Sequence, residues 1–381
     1  IEEAAMELLE RKTIYCDGEY VSFPNLAWLD NDTLACFFRC AKDRQRDGGA
    51  VTHIDPTAKD VFVVSKDNGE TFSTEPYTVL DDDMSEQDPC VAVLASGRVL
   101  MTCFRWQFAP KGEGGRVWGE ALFKRYGRSR AADGGLPASD TFNIGFSVSV
   151  SDDKGKTWRH LPVIQPEGYV PGSAVRGNIV ELPDGRLLLP FYGVKEIGWL
   201  ASCGIMESQD QGESWRFLSE TAFDREKNFL EPALFRAQSG RLISLFRTQS
   251  DFLKTGVDFE STYLNLHISV STDNGNTFSP AREIPGLFGS NPFHALQLRN
   301  GKVFVSYGYR RAPFGIRAKV CDPELSDLAA APEFIVVAGA PNGDLGYTHA
   351  VQLKDDRVLL TYYIAAGNGT RRIEGAFLNA D

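Results

Sequence analysis

Short apolar runs separated by turn residues recur along the whole chain. Six stretches share one pattern, in which a turn pair leads into an apolar run, and another apolar run precedes each of them. Two apolar runs joined by a tight turn predict a β-hairpin. The six stretches are NDTLACFFR (31–39), SGRVLMTCFR (96–105), DGRLLLPFYG (184–193), SGRLISLFR (239–247), NGKVFVSYGYR (300–310) and DDRVLLTYY (355–363).

A second repeat follows four of these hairpins and has the pattern S-x-D-x-G-x-[TS]-[FW]. The Asp can accept hydrogen bonds from backbone N–H groups of a turn, and the Gly can adopt a positive φ. We therefore interpret the phrase as a folding device that opens a further hairpin, with its closing aromatic packed beneath the turn. The four copies are SKDNGETF (65–72), SDDKGKTW (151–158), SQDQGESW (208–215) and STDNGNTF (271–278).

Four strands in each of six units predict an all-β fold, a six-bladed β-propeller. We expect residues 1–381 to form this single domain, because no interdomain linker is visible. The longest insertion lies in the second unit, at about 106–143. The stretch from 2 to 12 has helix-like composition, whereas the segment around 12–18 is expected to supply the outer strand that closes the last blade.

Composition narrows the classes of partner. The net charge is −11 with a pI of about 5.1, which argues against nucleic acid because phosphate binding needs a basic face. No apolar run has the roughly 18 residues that a membrane-spanning helix requires. The seven Cys have no metal-site spacing, so we expect reduced, buried thiols and no metal or cofactor. The chain starts at Ile1, which leaves open a secreted or periplasmic protein with its signal removed, or a cytoplasmic one.

Arginine ends four of the six hairpin strands: Arg39, Arg105, Arg247 and Arg310. Ligands of propellers bind near the central axis, at the ends of the inner strands. A cluster of guanidinium groups can bind a carboxylate bidentately. We therefore expect Arg247 and Arg310 in particular to bind an anionic ligand.

The repeated phrase resembles the Asp-box, and nearly the whole chain resembles the sialidase (neuraminidase) superfamily of six-bladed propellers. Sialidases of that family hold the sugar carboxylate with three Arg and use a Tyr nucleophile, a Glu that activates it and an Asp acid/base. The resemblance implies Glu231 in LEPALF as the activating Glu and Tyr347 in DLGYTHAVQL as the nucleophile. A phenol needs such a base, because its pKa is near 10.

The same resemblance implies the substrate-binding residues. LISLFR and VSYGYR place Arg247 and Arg310 in the carboxylate clamp, and FFR places Arg39 after the first strand pair. QDPCVAVL makes Asp88 a residue that lines the pocket.

Two features depart from the family pattern. The Arg-Ile-Pro motif is replaced by YVSFPNLAWL, with Ser22 or Phe23 at the position of the first clamp Arg. This departure favours a different acidic sugar as the substrate, with Arg176 or Arg105 as a compensating cation. The acid/base is the second departure, because the loop CAKDRQRDGGAVTHIDP offers several groups. We prefer Asp47, beside two glycines, and then Asp43.

Three histidines and one further aspartate keep alternatives open. Asp55 and His53 share the loop of the first blade, and His53 could serve as acid or base. His294 and His349 could also approach the axis. The leading expectation is a sialidase-like exo-glycoside hydrolase acting on a terminal acidic sugar of a glycan or glycoconjugate. The alternatives are a polysaccharide lyase or uronic-acid glycosidase using His53 or His349, and a non-catalytic carbohydrate-binding propeller.

Overall fold

The strands form six antiparallel sheets arranged as the blades of a propeller. The computed structural model describes residues 6–254, 256 and 258–380, and these statements refer to that part of the chain. In blades one to five the strands run outward from the axis in chain order, and in blade six the outermost strand comes from the N-terminus. The six-bladed β-propeller predicted from the repeats is confirmed.

Blades one to three follow one another along the chain. Blade one contains Tyr20–Trp28, Leu34–Ala41, Lys59–Ser65 and Tyr77–Leu80; blade two contains Ser85–Val93, Val99–Pro110, Ser139–Ser151 and Arg159–His160; blade three contains the short inner strands Ala174–Val175 and Val180–Glu181, then Leu187–Gly193, Ser202–Ser208 and Arg216–Ala222.

Blades four to six complete the ring. Blade four contains Asn228–Arg236, Leu242–Gln249, Asn265–Ser271 and Arg282–Phe288; blade five contains Phe293–Gln297, Val303–Tyr309, Gly315–Cys321 and Phe334–Ala338; blade six contains Gly346–Gln352, Val358–Ala365, Arg371–Asn379 and, outermost, Glu7–Tyr15.

The N-terminal strand Glu7–Tyr15 pairs with the C-terminal strand Arg371–Asn379, so both ends of the chain share one sheet. The helix-like expectation for 2–12 is wrong for residues 7–12, and residues 1–5 lie outside the described part. A short isolated helix is marginal in water. Pairing with the open edge of the C-terminal strand satisfies more backbone groups, so the tertiary context decides the conformation.

The hydrophobic core lies between the faces of neighbouring blades. Between blades six and one, for example, Leu353 and Leu359 pack with Leu34 and Cys36, all of them fully buried. Six of the seven Cys are buried free thiols, and Cys16 is exposed. None of the helices in the described residues is long and apolar enough to cross a membrane.

The S-x-D-x-G-x-[TS]-[FW] phrases join the third and outer strands of blades one to four. In the fourth copy, Asp273 accepts hydrogen bonds from the Ser271 hydroxyl at 2.7 Å and from Thr277 N at 2.9 Å and Oγ1 at 2.6 Å. Gly275 adopts φ +86° and donates its N–H to the Ser271 hydroxyl. The other three copies repeat these contacts. Each Asp is thus occupied in its own turn.

A bulge interrupts the inner strand in four of the blades, and each bulge contains a non-glycine residue with positive φ: Phe23 (+58°), Asp88 (+58°), Glu231 (+46°) and Tyr347 (+51°). A β-bulge changes the direction of a side chain, and backbone outliers of this kind concentrate at functional sites. The bulges therefore bring residues of four blades toward the axis at equivalent points.

The insertion of blade two extends from its second to its third strand. It contains two short helices, Gly114–Trp118 and Glu120–Tyr126, and a strand, Arg128–Arg130, that pairs with Ser139–Ser151. The remaining helices are 3-10 turns at Arg44–Asp47 and Glu260–Thr262.

We predict that Asp273→Ala lowers the free energy of unfolding by about 1 kcal/mol, because three turn donors lose their acceptor. Hydrogen bonds from Thr277 lower the pKa of Asp273 to about 2. Its stabilisation is therefore complete above the unfolded pKa near 3.9 and is lost as the pH falls through 2. Urea unfolding at pH 7 and pH 3 measures both effects.

The matched control is Thr272→Ala, at an exposed neighbour whose side chain makes no hydrogen bond to the described residues. A loss of stability as large in Thr272→Ala as in Asp273→Ala would contradict the folding role of the turn carboxylate.

Candidate active site

Tyr347 and Glu231 meet at the axis although they come from blades six and four, which blade five separates. The Tyr347 hydroxyl donates a hydrogen bond to Glu231 Oε1 at 2.5 Å, and both residues are buried. Burial raises the pKa of Tyr347 well above its usual value, and the carboxylates of Glu231 and Asp88 raise it further. At neutral pH Tyr347 is therefore a phenol whose proton has one adjacent acceptor.

Three guanidinium groups surround this pair. Arg247 Nη1 donates to both oxygens of Glu231 at 3.0 and 2.9 Å and lies 3.4 Å from the Tyr347 hydroxyl. The guanidinium carbons of Arg176 and Arg310 lie 5.1 and 5.6 Å from the centre of the Tyr347 ring. Although burial disfavours its charge, Arg247 has a raised pKa because Glu231 lies beside it. The site thus combines a neutral nucleophile candidate with a surplus of positive charge.

Phe23 occupies the side of the site that belongs to blade one. Its ring centre lies 4.6 Å from that of Tyr347 and 5.2 Å from that of His53. Ser22, the other position considered for the missing Arg, is buried and pairs with Arg39 in the sheet. Blade one therefore presents an apolar wall to Tyr347 through its inner strand.

His53 is the residue of the first-blade loop that reaches this region. Its Nε2 lies 3.2 Å from Asp344 Oδ1, and burial lowers the pKa of His53, although the hydrogen bond with Asp344 opposes that shift. Asp344 also accepts hydrogen bonds from Tyr20, Tyr363 and Arg371. Burial disfavours its charge, but His53, Arg371 and Arg310 together hold the pKa of Asp344 well below its usual value. The imidazole is thereby fixed in orientation by an ionised carboxylate.

The aspartates of the same loop pair with groups of that loop. Asp47 is an exposed member of a 3-10 turn and pairs with Lys42 at 2.6 Å. Asp43 caps that turn by accepting the N–H of Gln45. Asp55 is buried and binds Arg44 through both oxygens. The flexible appearance of Asp47-Gly-Gly in the sequence did not indicate these local pairings.

A group of buried ionisable side chains lies beside the site on blades one and two. Arg39 is fully buried, and its Nη atoms have no hydrogen-bond partner among the described residues. Burial raises the pKa of Asp60 to about 7 and that of Glu86 to about 9. It also raises that of Asp88, whose oxygens have no hydrogen-bond partner among the described residues. Arg105, by contrast, pairs with Asp82 and with Glu86.

The other two histidines lie deeper along the axis. His294 and His349 stack with ring centres 3.9 Å apart, and Nδ1 of His349 accepts the N–H of Leu26. Burial lowers the pKa of His294 to about 4 and also lowers that of His349 well below its usual value. They border a cavity of about 60 Å³ together with Arg176. Both are neutral at pH 7 and belong to the packing beneath the site.

Two adjoining cavities share Arg128, and neither is lined by Tyr347 or Glu231. One has a volume of about 370 Å³ and is lined by His53, Asp344 and Arg310, together with Arg128 and Arg130 from the blade-two insertion. The other, of about 200 Å³, shares Arg128 and is lined by aromatic residues that include Trp106 and Tyr192. A larger cavity beside Trp199 contains neither Tyr347 nor Glu231.

Sequence reasoning missed Asp344, Arg128 and Arg130. Asp344 opens the DLGYTHAVQL segment, so its position three residues before Tyr347 was the available signal. Nothing in the sequence indicates which face of the long insertion turns toward the axis. In the described part of the chain, no group of three or more His, Cys, Asp and Glu side chains could hold a metal ion.

Comparisons with known proteins agree with this architecture. Residues 137–321 match the BNR repeat-like domain family. A protein of unknown function from Dyadobacter fermentans DSM 18053 is 28% identical over 100% of both chains, with a TM-score of 0.84. No curated protein matches the chain significantly.

Two sialidases of known structure share the fold at low identity. NanB sialidase from Streptococcus pneumoniae is 14% identical, with a TM-score of 0.66 over 97% of this chain and 70% of its own. Trypanosoma rangeli sialidase, as a covalent intermediate with 2,3-difluorosialic acid, is 14% identical, with a TM-score of 0.60 over 95% of this chain and 54% of its own. The chain thus contains BNR-like repeats over residues 137–321 and shares the six-bladed β-propeller fold of these sialidases.

Proposed function

We propose that this protein is a retaining exo-glycoside hydrolase that cleaves a terminal acidic sugar, with Tyr347 as nucleophile and Glu231 as its base. The observation that carries the proposal is the buried hydrogen bond between the Tyr347 hydroxyl and Glu231, which joins blades six and four. A phenol becomes an effective nucleophile when a positioned base removes its proton. The pairing of a buried phenol with a buried carboxylate supports this role.

The first step forms a glycosyl-tyrosine bond. The Tyr347 oxygen attacks the anomeric carbon while its proton passes to Glu231. The bond from that carbon to the leaving-group oxygen breaks, and His53 as imidazolium donates a proton to that oxygen. In the second step water attacks the same carbon and gives its proton to His53, and the Tyr347 oxygen leaves and recovers its proton from Glu231. Two inversions retain the anomeric configuration.

An anionic substrate suits the charges around Tyr347. A carboxylate nucleophile would repel a negatively charged sugar, whereas a neutral phenol does not. Arg310 hydrogen-bonds Leu345 O and Tyr363 and has no carboxylate partner among the described residues, so its charge is free for a ligand. Phe23, where the family carries the first clamp Arg, favours an acidic sugar other than sialic acid.

His53 is our choice of acid/base because it combines access with orientation. It lines the cavity that also contains Arg310, and Asp344 holds its ring. Asp88 is a less suitable donor, since its carboxyl is only 1% exposed. The Phe23 ring lies between His53 and Tyr347 and contacts both.

A uronic-acid lyase on the same residues is the second candidate. The observation that favours it is the lowered pKa of His53, since a neutral imidazole can remove the proton beside a carboxylate that Arg310 binds. Tyr347 would then protonate the leaving oxygen as the carbon–oxygen bond breaks and a carbon–carbon double bond forms. A lyase product absorbs ultraviolet light, whereas a hydrolase product does not.

We predict that Tyr347→Phe abolishes hydrolysis of the fluorogenic acidic glycoside, a sialoside or a uronide, that the wild type cleaves. We expect a loss of at least a thousandfold in kcat/KM, because the attacking oxygen is absent. Tyr77→Phe removes the same atom from an exposed Tyr on the outer strand of blade one and is expected to retain full activity. Wild-type turnover that persists in Tyr347→Phe would contradict the nucleophile assignment, and no turnover of either glycoside would contradict the proposed function.

We predict that His53→Asn lowers kcat/KM by about a hundredfold or more for glycosides with an alkyl leaving group, and much less for an activated aryl leaving group. An acid must be protonated, and burial places the pKa of His53 below 6.5. Wild-type kcat/KM should therefore fall as the pH rises through that pKa, and His53→Asn should lack this limb. His160→Asn, at an exposed His of blade two, is the control. Equal losses for both leaving groups would contradict the acid role.

A further inference from the structure

Arg128 and Arg130 belong to the insertion of blade two and line the cavity that contains His53 and Arg310. They lie two residues apart on the strand Arg128–Arg130, where alternate side chains share one face. Both line the cavity of about 370 Å³ that also contains Arg310 and His53. The insertion of blade two therefore adds two cations to the lining of this cavity.

Neither of these arginines has an acidic partner among the described residues. Arg128 lies over the Trp106 ring, with its guanidinium carbon 5.2 Å from the ring centre, and Arg130 Nη1 donates to the carbonyl of Ile54 at 3.1 Å. Within the described residues, no Asp or Glu oxygen comes within 4.0 Å of either guanidinium. Elsewhere on the same insertion, Arg116 pairs with Glu113 and Arg125 with Asp251.

The acidic groups near this cavity are already occupied. Asp344 accepts hydrogen bonds from His53, Arg371 and two tyrosines. Asp55 binds Arg44 through both oxygens, and Asp133 accepts the N–H of Ala50 at 2.8 Å. In a chain with a net charge of −11, three guanidinium groups at one cavity, Arg128, Arg130 and Arg310, thus keep their charge available.

We propose that Arg128 and Arg130, with Arg310, bind an oxyanion group of the substrate, a carboxylate or a sulfate ester. As a statement about substrate this rests on the proposed function, whereas the anion site itself does not. Guanidinium groups bind planar and tetrahedral oxyanions bidentately. Because Phe23 excludes an Arg on the inner strand of blade one, anion recognition moves to the insertion of blade two. The substrate class is an acidic sugar whose charged group extends toward that insertion.

The probes are inorganic sulfate and acetate, titrated at constant ionic strength. Trp106 serves as the reporter, since Arg128 lies over its ring, and Trp106→Phe identifies its share of the fluorescence change. We expect saturable binding to the wild type and at least tenfold weaker binding to Arg128→Ala/Arg130→Ala. Arg128→Lys/Arg130→Lys retains both charges and serves as a second variant in case the double alanine variant folds poorly. We expect it to bind both anions better than the double alanine variant.

Arg116→Ala/Arg282→Ala loses the same charge at exposed positions away from the cavity and should bind both anions as the wild type does. Tighter binding of sulfate than of acetate would indicate a sulfate ester, and the reverse a carboxylate; either outcome supports the proposal. The proposal would be overturned if the wild type showed no saturable binding. It would also be overturned if the alanine and lysine double variants at 128 and 130 bound the anions as well as the wild type does. The assay needs no turnover, so anion binding is measured independently of whether the hydrolase proposal holds.

Discussion

The buried contact among Tyr347, Glu231 and Arg247 requires two blades that are not neighbours, four and six, to meet at one point. Taking a carboxylate and a guanidinium out of water is expensive, and removal of one partner leaves the other charge buried and unpaired. The three groups are therefore stable only in a closed ring that brings blades four and six to the axis together. Closure in turn depends on the sheet that joins the N-terminal strand Glu7–Tyr15 to the C-terminal strand Arg371–Asn379.

The inner strands would not present these side chains if they were regular. A regular strand alternates its side chains between two faces that pack against neighbouring blades. The bulges at Phe23, Asp88, Glu231 and Tyr347 give up ladder hydrogen bonds and place residues at positive φ, at a cost of about 1–3 kcal/mol each. The surrounding blades must supply that stability, and the apolar layers between the blades do so.

The site is positively charged although the protein as a whole is acidic, because the carboxylates near the site already have hydrogen-bonding partners. Asp344 is the main example, because four side chains donate to it and it still orients His53. Glu231 is held by Arg247 and Tyr347 in the same way. Among the described residues that line the cavity, the charged side chains without an oppositely charged partner are cationic: Arg128, Arg130 and Arg310. This distribution favours an anionic ligand regardless of the reaction that follows.

The sequence by itself determined the fold, and its resemblance to the sialidases indicated the central pair. The six hairpins and the repeated turn phrase indicate a propeller because hydrophobic alternation and turn chemistry are local properties. LEPALF and DLGYTHAVQL pointed to Glu231 and Tyr347, which the structure brings into contact. The sequence could not indicate which of Asp43, Asp47, Asp55 and His53 is the acid/base. All four belong to one loop and differ only in their partners.

Only the tertiary structure decided which groups of that loop are free and which are paired. Asp43, Asp47 and Asp55 are engaged by their own turn or by Lys42 and Arg44, whereas His53 extends to Asp344, 291 residues later in the chain. The tertiary structure also decided the placement of Arg128 and Arg130, because no local pattern fixes the path of a long insertion. The strand at 7–15 likewise formed through pairing with residues near the other end of the chain. Local chemistry sets turns and strands, and long-range packing sets which charges are left to bind a ligand.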